Sequence, residues 1–267
     1  ISTGATSIGT FGKKRLPSFT LPNGAVVTIL FHGGGGSVSR IGNDLQFTLT
    51  GAPSITIHTK GGANAVGLSS ISVTGNLKSL VAPTATLSGT LSSTGGIGML
   101  FVASITGVVT SAAGIGSLRA ANFSGSISAA GVLGTINLGK TTGVIAARQI
   151  KHFTAANLID ATILAGANLG TDGQLGGGDD TFAAGQLLAM KITGAIVSSF
   201  IGAGVIPTDG LLGDGNDSAA GGSGIHAIMV KGNVDAATRF ESAIFPRVAH
   251  LPKKIIPTAD PRFIVLH

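Results

Sequence analysis

Two glycine-rich stretches hold most of the acidic side chains in this sequence of 267 residues. Residues 171–181 and 208–218 align without a gap at an offset of 37 positions, and together they contain six of the 11 acidic residues. Carboxylates interleaved with glycine suit a calcium ion, which takes about six to eight oxygen ligands from carboxylates and backbone carbonyls. Glycine also lets the backbone turn those carbonyls inward. The two stretches therefore predict calcium-binding loops.

The candidate ligands are aspartates that align between the two loops, together with three neighbouring oxygen donors. The aligned aspartates are Asp172, Asp180, Asp209 and Asp217, and the neighbouring donors are Asp179, Asp214 and Asn216. The competing interpretation is that these Asp-Gly and Asn-Asp pairs are hydrophilic turn formers without a ligand. We favour calcium because the loops are duplicated in register and hold most of the acidity.

An internal repeat of 18 residues indicates which elements position these loops. Gly89, Gly107, Gly125 and Gly143 are evenly spaced, and an aliphatic residue stands two positions after each of them. Within each copy, apolar residues alternate with small or polar ones in short bursts, which is the pattern of β-strands separated by tight turns. Glycine at this frequency argues against helices, because each one costs a helix about 1 kcal/mol relative to alanine.

The repeat predicts an all-β protein, a parallel β-helix (β-solenoid) with coils of about 18 residues. Each coil would pair with the next about 4.8 Å further along the axis, and the handedness of parallel crossovers favours a right-handed coil. An antiparallel β-sandwich is the alternative, although sandwiches do not normally keep such a repeat. We expect an N-terminal arm or cap over residues 1–24, the solenoid over 25–245 with the insertions 171–181 and 208–218, and a C-terminal cap over 246–267.

The offset of 37 residues between the acidic loops predicts where they lie on the solenoid. Removing each loop leaves roughly one coil, so the two loops are expected at the same corner of successive coils. Carboxylates on adjacent coils would then lie about 5 Å apart, where like charges repel by roughly 3 kcal/mol at an effective dielectric near 20. A bound calcium ion would remove that repulsion.

Two resemblances accompany these patterns. Residues 176–180 and 213–217 resemble the glycine- and aspartate-rich nonapeptide calcium repeats of secreted bacterial toxins and adhesins, although Leu175 and Leu212 stand where the first glycine of that pattern belongs. Residues 65–245 resemble the bacterial extracellular β-strand-repeat (β-solenoid, adhesin-like) surface proteins, with their rows of glycine-punctuated strands and aspartate-glycine loops. The resemblance implies a secreted, extracellular or cell-surface location and a structural or adhesive role.

The sequence contains few residues that could support other kinds of functional site. There is no cysteine, tryptophan or tyrosine, Glu241 is the single glutamate, and the six histidines are scattered without metal-ligand spacing. The apolar runs are too short to span a bilayer, so we expect no transmembrane segment. The 17 basic residues behind the net charge of +6 are spread along the chain, so we expect no nucleic-acid partner. A sparse basic stripe would suit an anionic polysaccharide, or it would keep the solenoid flanks from aggregating.

Together these features predict a non-enzymatic extracellular β-solenoid with a structural or adhesive role, stabilised by calcium. We expect homo-oligomers or fibres formed through the solenoid ends and the N-terminal arm, because an open coil end exposes unpaired strand edges. The alternative is a polysaccharide lyase or hydrolase, or a glycan-binding β-helix protein without catalysis. The start at Ile1 leads us to expect a processed chain or a fragment of a longer one.

Overall fold

The chain folds into stacked turns of β-strand. A computed structural model describes residues 5–11, 16–61, 66–176, 178–214, 216–246, 249–250, 254–255 and 259–266. Strands make up 65% of the chain, and the described residues contain no α-helix. The strands stack in parallel as about 10 turns of about 20 residues each, which confirms the predicted β-solenoid. One apolar core runs through the turns from end to end.

The N-terminal end of the solenoid is antiparallel. Its strands are β1 (Thr6–Phe11), β2 (Phe19–Thr20), β3 (Val26–His32), β4 (Gly35–Ile41), β5 (Asp44–Gly51) and β6 (Ser54–Lys60). β1 pairs with β4 and β4 with β5, while β2 pairs with β3 and β3 with β6, all antiparallel. β1 and β2 lie within residues 1–24, the segment for which the sequence predicts an arm or cap, and both are hydrogen-bonded to the sheet.

The middle of the solenoid is parallel and regular. Its strands are β7 (Val66–Gly75), β8 (Leu77–Ser93), β9 (Ile97–Ile105), β10 (Val108–Ser111), β11 (Ile115–Phe123), β12 (Ser126–Thr141), β13 (Val144–Ile159) and β14 (Thr162–Ala165). Parallel pairing begins where β5 pairs with β7 and β6 with β8. From there each strand pairs with a strand one turn further along the chain.

The predicted 18-residue repeat is the hydrogen-bonded register of these turns. Leu91, Val109, Ile127 and Ile145 are successive partners on β8, β10, β12 and β13. All four side chains are fully buried, so the repeat stacks aliphatic groups into a column inside the solenoid. Burying one such side chain contributes about 1.5–3 kcal/mol. The spacing of the repeat is therefore set by the need to keep each aliphatic side chain above its equivalent.

The C-terminal part has shorter strands and carries both acidic loops. Its strands are β15 (Ala167–Asn168), β16 (Thr181–Phe182), β17 (Gln186–Ile192), β18 (Ile196–Val197), β19 (Phe200–Ala203), β20 (Val205–Ile206), β21 (Ser218–Ala219), β22 (Gly224–Ile225), β23 (Ile228–Val230), β24 (Arg239–Ser242), β25 (Ala249–His250), β26 (Lys254–Ile255) and β27 (Phe263–Val265). β27 lies in the segment 246–267, for which the sequence predicts a cap. It pairs in parallel with β24, and the rings of Phe240 and Phe263 stack with centroids 4.5 Å apart.

The repeating glycines sit where successive turns come closest. A side-chain carbon built on Gly125 would overlap the backbone oxygen of Gly107, and one built on Gly107 would overlap that of Gly89. Interior atoms are already close-packed, so the chain has no room to move aside. From Gly89 to Gly143 the space between turns at this corner leaves no room for a side chain, which explains why glycine marks these copies of the repeat.

Replacing one of these glycines tests that explanation. We expect Gly125→Ala to lower the free energy of unfolding by about 2 kcal/mol or more, because the added methyl group forces two turns apart. Gly221→Ala is the matched control, since a side chain there meets nothing within 4 Å. Urea denaturation followed by circular dichroism measures both variants. Equal stability of the two variants would show that the glycine column is not a steric requirement.

Candidate metal site in the acidic loops

Both acidic loops leave the solenoid at the same corner of neighbouring turns. β14 and β19 pair in parallel with Ala165 opposite Ala203, and each of these residues is the last before a loop begins. The next residues, Gly166 and Gly204, have φ angles of 97° and 64°, which only glycine adopts readily. The predicted stacking of the two loops at one corner is thereby confirmed.

Short antiparallel pairs close the base of each loop. β15 pairs with β16 in the first loop, and β20 pairs with β21 in the second. The first loop then folds back over the outside of the turns. Leu169 is buried there, its amide donates to Ser128 Oγ at 3.0 Å, and the hydroxyl of Ser126 donates to the carbonyl of Gly173. The first loop is therefore packed against the solenoid wall.

The two loops begin with the same aspartate turn. Asp172 Oδ1 accepts a hydrogen bond from the amide of Gln174 at 2.8 Å, and Asp209 Oδ1 accepts one from the amide of Leu211 at 3.0 Å. Both carboxylates are exposed. The bond from Leu211, followed by one from Asn216, holds the pKa of Asp209 below its ordinary value, so this group stays ionised.

The second aligned pair of aspartates closes a tighter turn. Asp180 Oδ2 accepts from the amide of Gly176 at 2.6 Å, and Asp217 Oδ2 accepts from the amide of Gly213 at 2.7 Å. In each of the two carboxylates the other oxygen, Oδ1, is buried and has no hydrogen-bond partner. These two oxygens are available for a further ligand, unlike Oδ1 of Asp172.

The remaining predicted ligands bridge the two ends of each loop. Asp179 Oδ2 accepts from the amide of Thr171 at 2.7 Å and from its hydroxyl at 3.0 Å. These bonds lower the pKa of Asp179. In the second loop Asn216 takes the equivalent place, where its side-chain oxygen accepts from the hydroxyl of Thr208 at 3.0 Å. Asp214 is exposed, and its Oδ1 accepts from the amide of Asn216 at 3.3 Å.

The carboxylates of the two loops lie at the same corner of the solenoid but do not form a complete set of metal ligands. Across the part of the chain that the structure describes, no group of three or more His, Asp or Glu side chains converges closely enough to hold a metal ion together. The orphaned oxygens of Asp180 and Asp217 fit a cation, whereas the other five predicted ligands are bonded within their own loops. Calcium at these loops therefore stays a prediction.

One acidic residue outside both loops lies against the second loop. Glu241, on β24, is fully buried, and neither of its carboxylate oxygens has a hydrogen-bond partner. Burial first, and then the neighbouring carboxylate of Asp217, raise the pKa of Glu241 to about 7. One weak signal for this residue is present in the sequence, since Glu241 is the single glutamate of the chain. In the structure it follows Phe240, which lies in the core.

The two loops also enclose a cleft between them. It has a volume of about 630 Å³ and is bordered by Asp180 and by Phe182, Phe200, Leu211 and Leu212. Leu211, which lines the cleft, is 63% exposed and adds apolar surface to it. The cleft thus combines one carboxylate with an apolar wall.

Three described basic residues can be compared through the strand register. Arg119 and Lys191 belong to one column of register-matched positions, and the guanidinium of Arg119 lies 5.1 Å from the ring centroid of Phe101. Lys140 lies in a different column, opposite Asn122. These three basic groups therefore do not stack in one continuous row.

The described structure defines a repeat protein of the β-solenoid class. Comparison of the chain with protein-family models, with curated proteins and with solved structures finds no significant match to any of them. Among the described residues there is no helix with the length and apolar character needed to cross a membrane.

The raised pKa of Glu241 predicts how the free energy of unfolding depends on pH once a chelator has removed any bound metal. A carboxyl whose pKa rises from its ordinary 4.5 to about 7 on folding stabilises the fold only while it is protonated. The wild type should therefore lose stability as pH rises from about 4.5 to 7, by up to about 3 kcal/mol at about 1.4 kcal/mol per pKa unit.

The variant Glu241→Gln isolates this effect, because histidine titration is common to both proteins. We expect the stability of the variant relative to wild type to increase steadily across that pH range, measured by urea denaturation at closely spaced pH values. A difference that does not change with pH would contradict the prediction.

Proposed function

We propose that this protein is a non-enzymatic structural β-solenoid of the extracellular surface, which stacks end to end into filaments or layers and is stabilised by calcium at its acidic loops. The observation that carries this proposal is the pairing of the strands at the two ends of the solenoid. Among the described strands, β1 has β4 as its one partner and β27 has β24. Among the described strands, each of these two therefore has one edge without a partner, and the proposal is that a second copy of the chain pairs there.

The body between the two ends suits a rigid rod. Backbone pairing continues from turn to turn, and the interior is filled by aliphatic side chains that are almost completely buried. A chain without cysteine needs no particular redox environment to keep this core intact. The resemblance to bacterial surface proteins supports the extracellular location and the structural or adhesive role.

Imaging of the full chain tests the assembly. We expect concentrated protein to form filaments or layers in negative-stain electron microscopy, with the long axis along the solenoid. Ser7→Lys, which places a charge at an exposed position of the end strand β1, should reduce assembly, because charge on an edge strand disfavours strand pairing. Met229→Lys, at a position on the flank that is 44% exposed, is the matched control and should assemble as the wild type does. Monodisperse short rods with and without calcium would overturn the proposal.

The cleft between the loops favours one second candidate, a glycan-binding or glycan-cleaving β-helix protein. Polysaccharide chemistry on a parallel β-helix needs acidic groups beside a groove along the turns, and Asp180 borders this cleft together with Phe182.

Incubation with pectin or alginate distinguishes the two candidate functions. The structural proposal predicts no absorbance from unsaturated sugar products and no heat of binding in calorimetry. Binding or cleavage that is lost in Asp180→Asn and kept in Asp172→Asn would instead establish the second function. Asp172 is the control because its carboxylate is bonded within its own turn.

A further inference from the structure

Glu241 and Asp217 form a buried carboxylate pair where the second loop crosses β24. The amide of Gly213 donates to Asp217 Oδ2 at 2.7 Å, and a side-chain carbon built on the same glycine would lie 4.0 Å from Glu241 Oε1. Gly213 therefore lies against both carboxylates. One of them comes from the loop and the other from the solenoid wall.

The pair has oxygens that the protein leaves without partners. Glu241 is 0% exposed and both of its oxygens are unpartnered, while Asp217 is 8% exposed and its Oδ1 is unpartnered. Buried acceptors are almost always satisfied in folded proteins, and buried charges are paired or coordinate a metal. Asp217 and Glu241 can satisfy part of this need by sharing a proton, but with both carboxylates ionised the three oxygens require a ligand that supplies positive charge.

The neighbouring basic side chain does not supply it. Arg239 is close enough for its charge to favour the ionised form of Glu241, but the one ion pair among the described residues joins Arg262 and Asp260. The charge of Asp214 also reaches Glu241 and adds to the negative potential. The nearby groups thus make the site more attractive to a cation than to any other ligand.

We propose that Glu241 and Asp217 bind one calcium-class divalent cation that fastens the second acidic loop to the solenoid wall. The unpartnered donors at the site are carboxylate oxygens, which favour a hard cation over the softer metals that prefer histidine or cysteine. Calcium accepts irregular oxygen geometry, so two carboxylates can be completed by loop carbonyls and water. This inference rests on the calcium part of the proposed function and is independent of filament assembly.

The first loop is an internal control, because it lacks the second carboxylate. Asp180 in the first loop matches Asp217 in the second, with the same backbone hydrogen bond and the same unpartnered oxygen. However, the strand position that holds Glu241 on β24 is occupied by Gly202 on β19, directly opposite in the register. The proposal therefore predicts one strongly bound ion per chain, although the two loops are duplicates.

Isothermal titration calorimetry of the full chain, treated with a chelator and titrated with calcium chloride, tests this inference. We expect a stoichiometry of one ion per chain and a rise in melting temperature on calcium addition. Glu241→Gln and Asp217→Asn should each weaken binding at least tenfold and abolish the rise in melting temperature. Asp160→Asn, the same change at an exposed aspartate outside both loops, should leave both measurements as in the wild type.

The possible contrary results separate this inference from the proposed function. If Glu241→Gln and Asp217→Asn both bind calcium as the wild type does, or if Asp180→Asn removes one of two ions, then calcium is held by other loop carboxylates and the Glu241 site is overturned. If the wild type binds no calcium, both calcium claims fail and the carboxylate pair shares a proton. Melting of each variant without calcium confirms folding, and Glu241→Gln should be at least as stable there because it removes a buried acid.

Discussion

The structure depends on one constraint, which is that each turn must lie in hydrogen-bonding register on the turn before it. Parallel strands about 4.8 Å apart leave no freedom to shift a side chain sideways, so equivalent positions form columns. Aliphatic residues fill the inward columns, as Leu91 and Val109 do. Where two turns approach most closely, as at Gly107 and Gly125, the same constraint admits only glycine. The 18-residue repeat in the sequence therefore follows from this stacking.

The same constraint decides where extra residues can be inserted. A change of one residue is absorbed by a local shift of register, as between Ala129 and Val132 on β12, whereas a whole loop is accommodated at a corner. Both acidic loops leave the solenoid after register-matched alanines, Ala165 and Ala203. Because they leave adjacent turns, their carboxylates are collected at one corner, and the concentration of charge there follows from the stacking. A cation at that corner would relieve the resulting repulsion, which is the physical basis of the proposed calcium dependence.

The strands at the two ends of the solenoid have fewer hydrogen-bonding neighbours than those in its middle. Each inner turn has a neighbour on both sides, but a terminal strand has one. The N-terminal end meets this with antiparallel strands, in which β1 forms the outermost described strand on its side, and the C-terminal end with the short parallel strand β27. Among the described strands each of these two has a single partner, and the proposed end-to-end assembly would supply a second one.

The sequence by itself determined the period of the fold, the all-β class and the positions of both acidic loops, because each follows from local spacing: glycines 18 apart, alternating apolar residues, and loops offset by 37. The antiparallel pairing near the N-terminus is absent from that prediction, because it needs the relative direction of chain segments, which composition does not encode. Only the tertiary structure identified Glu241. Its burial depends on the return path of a loop that leaves the preceding turn, over 20 residues earlier in the chain, and such a contact leaves no periodic signal in the sequence.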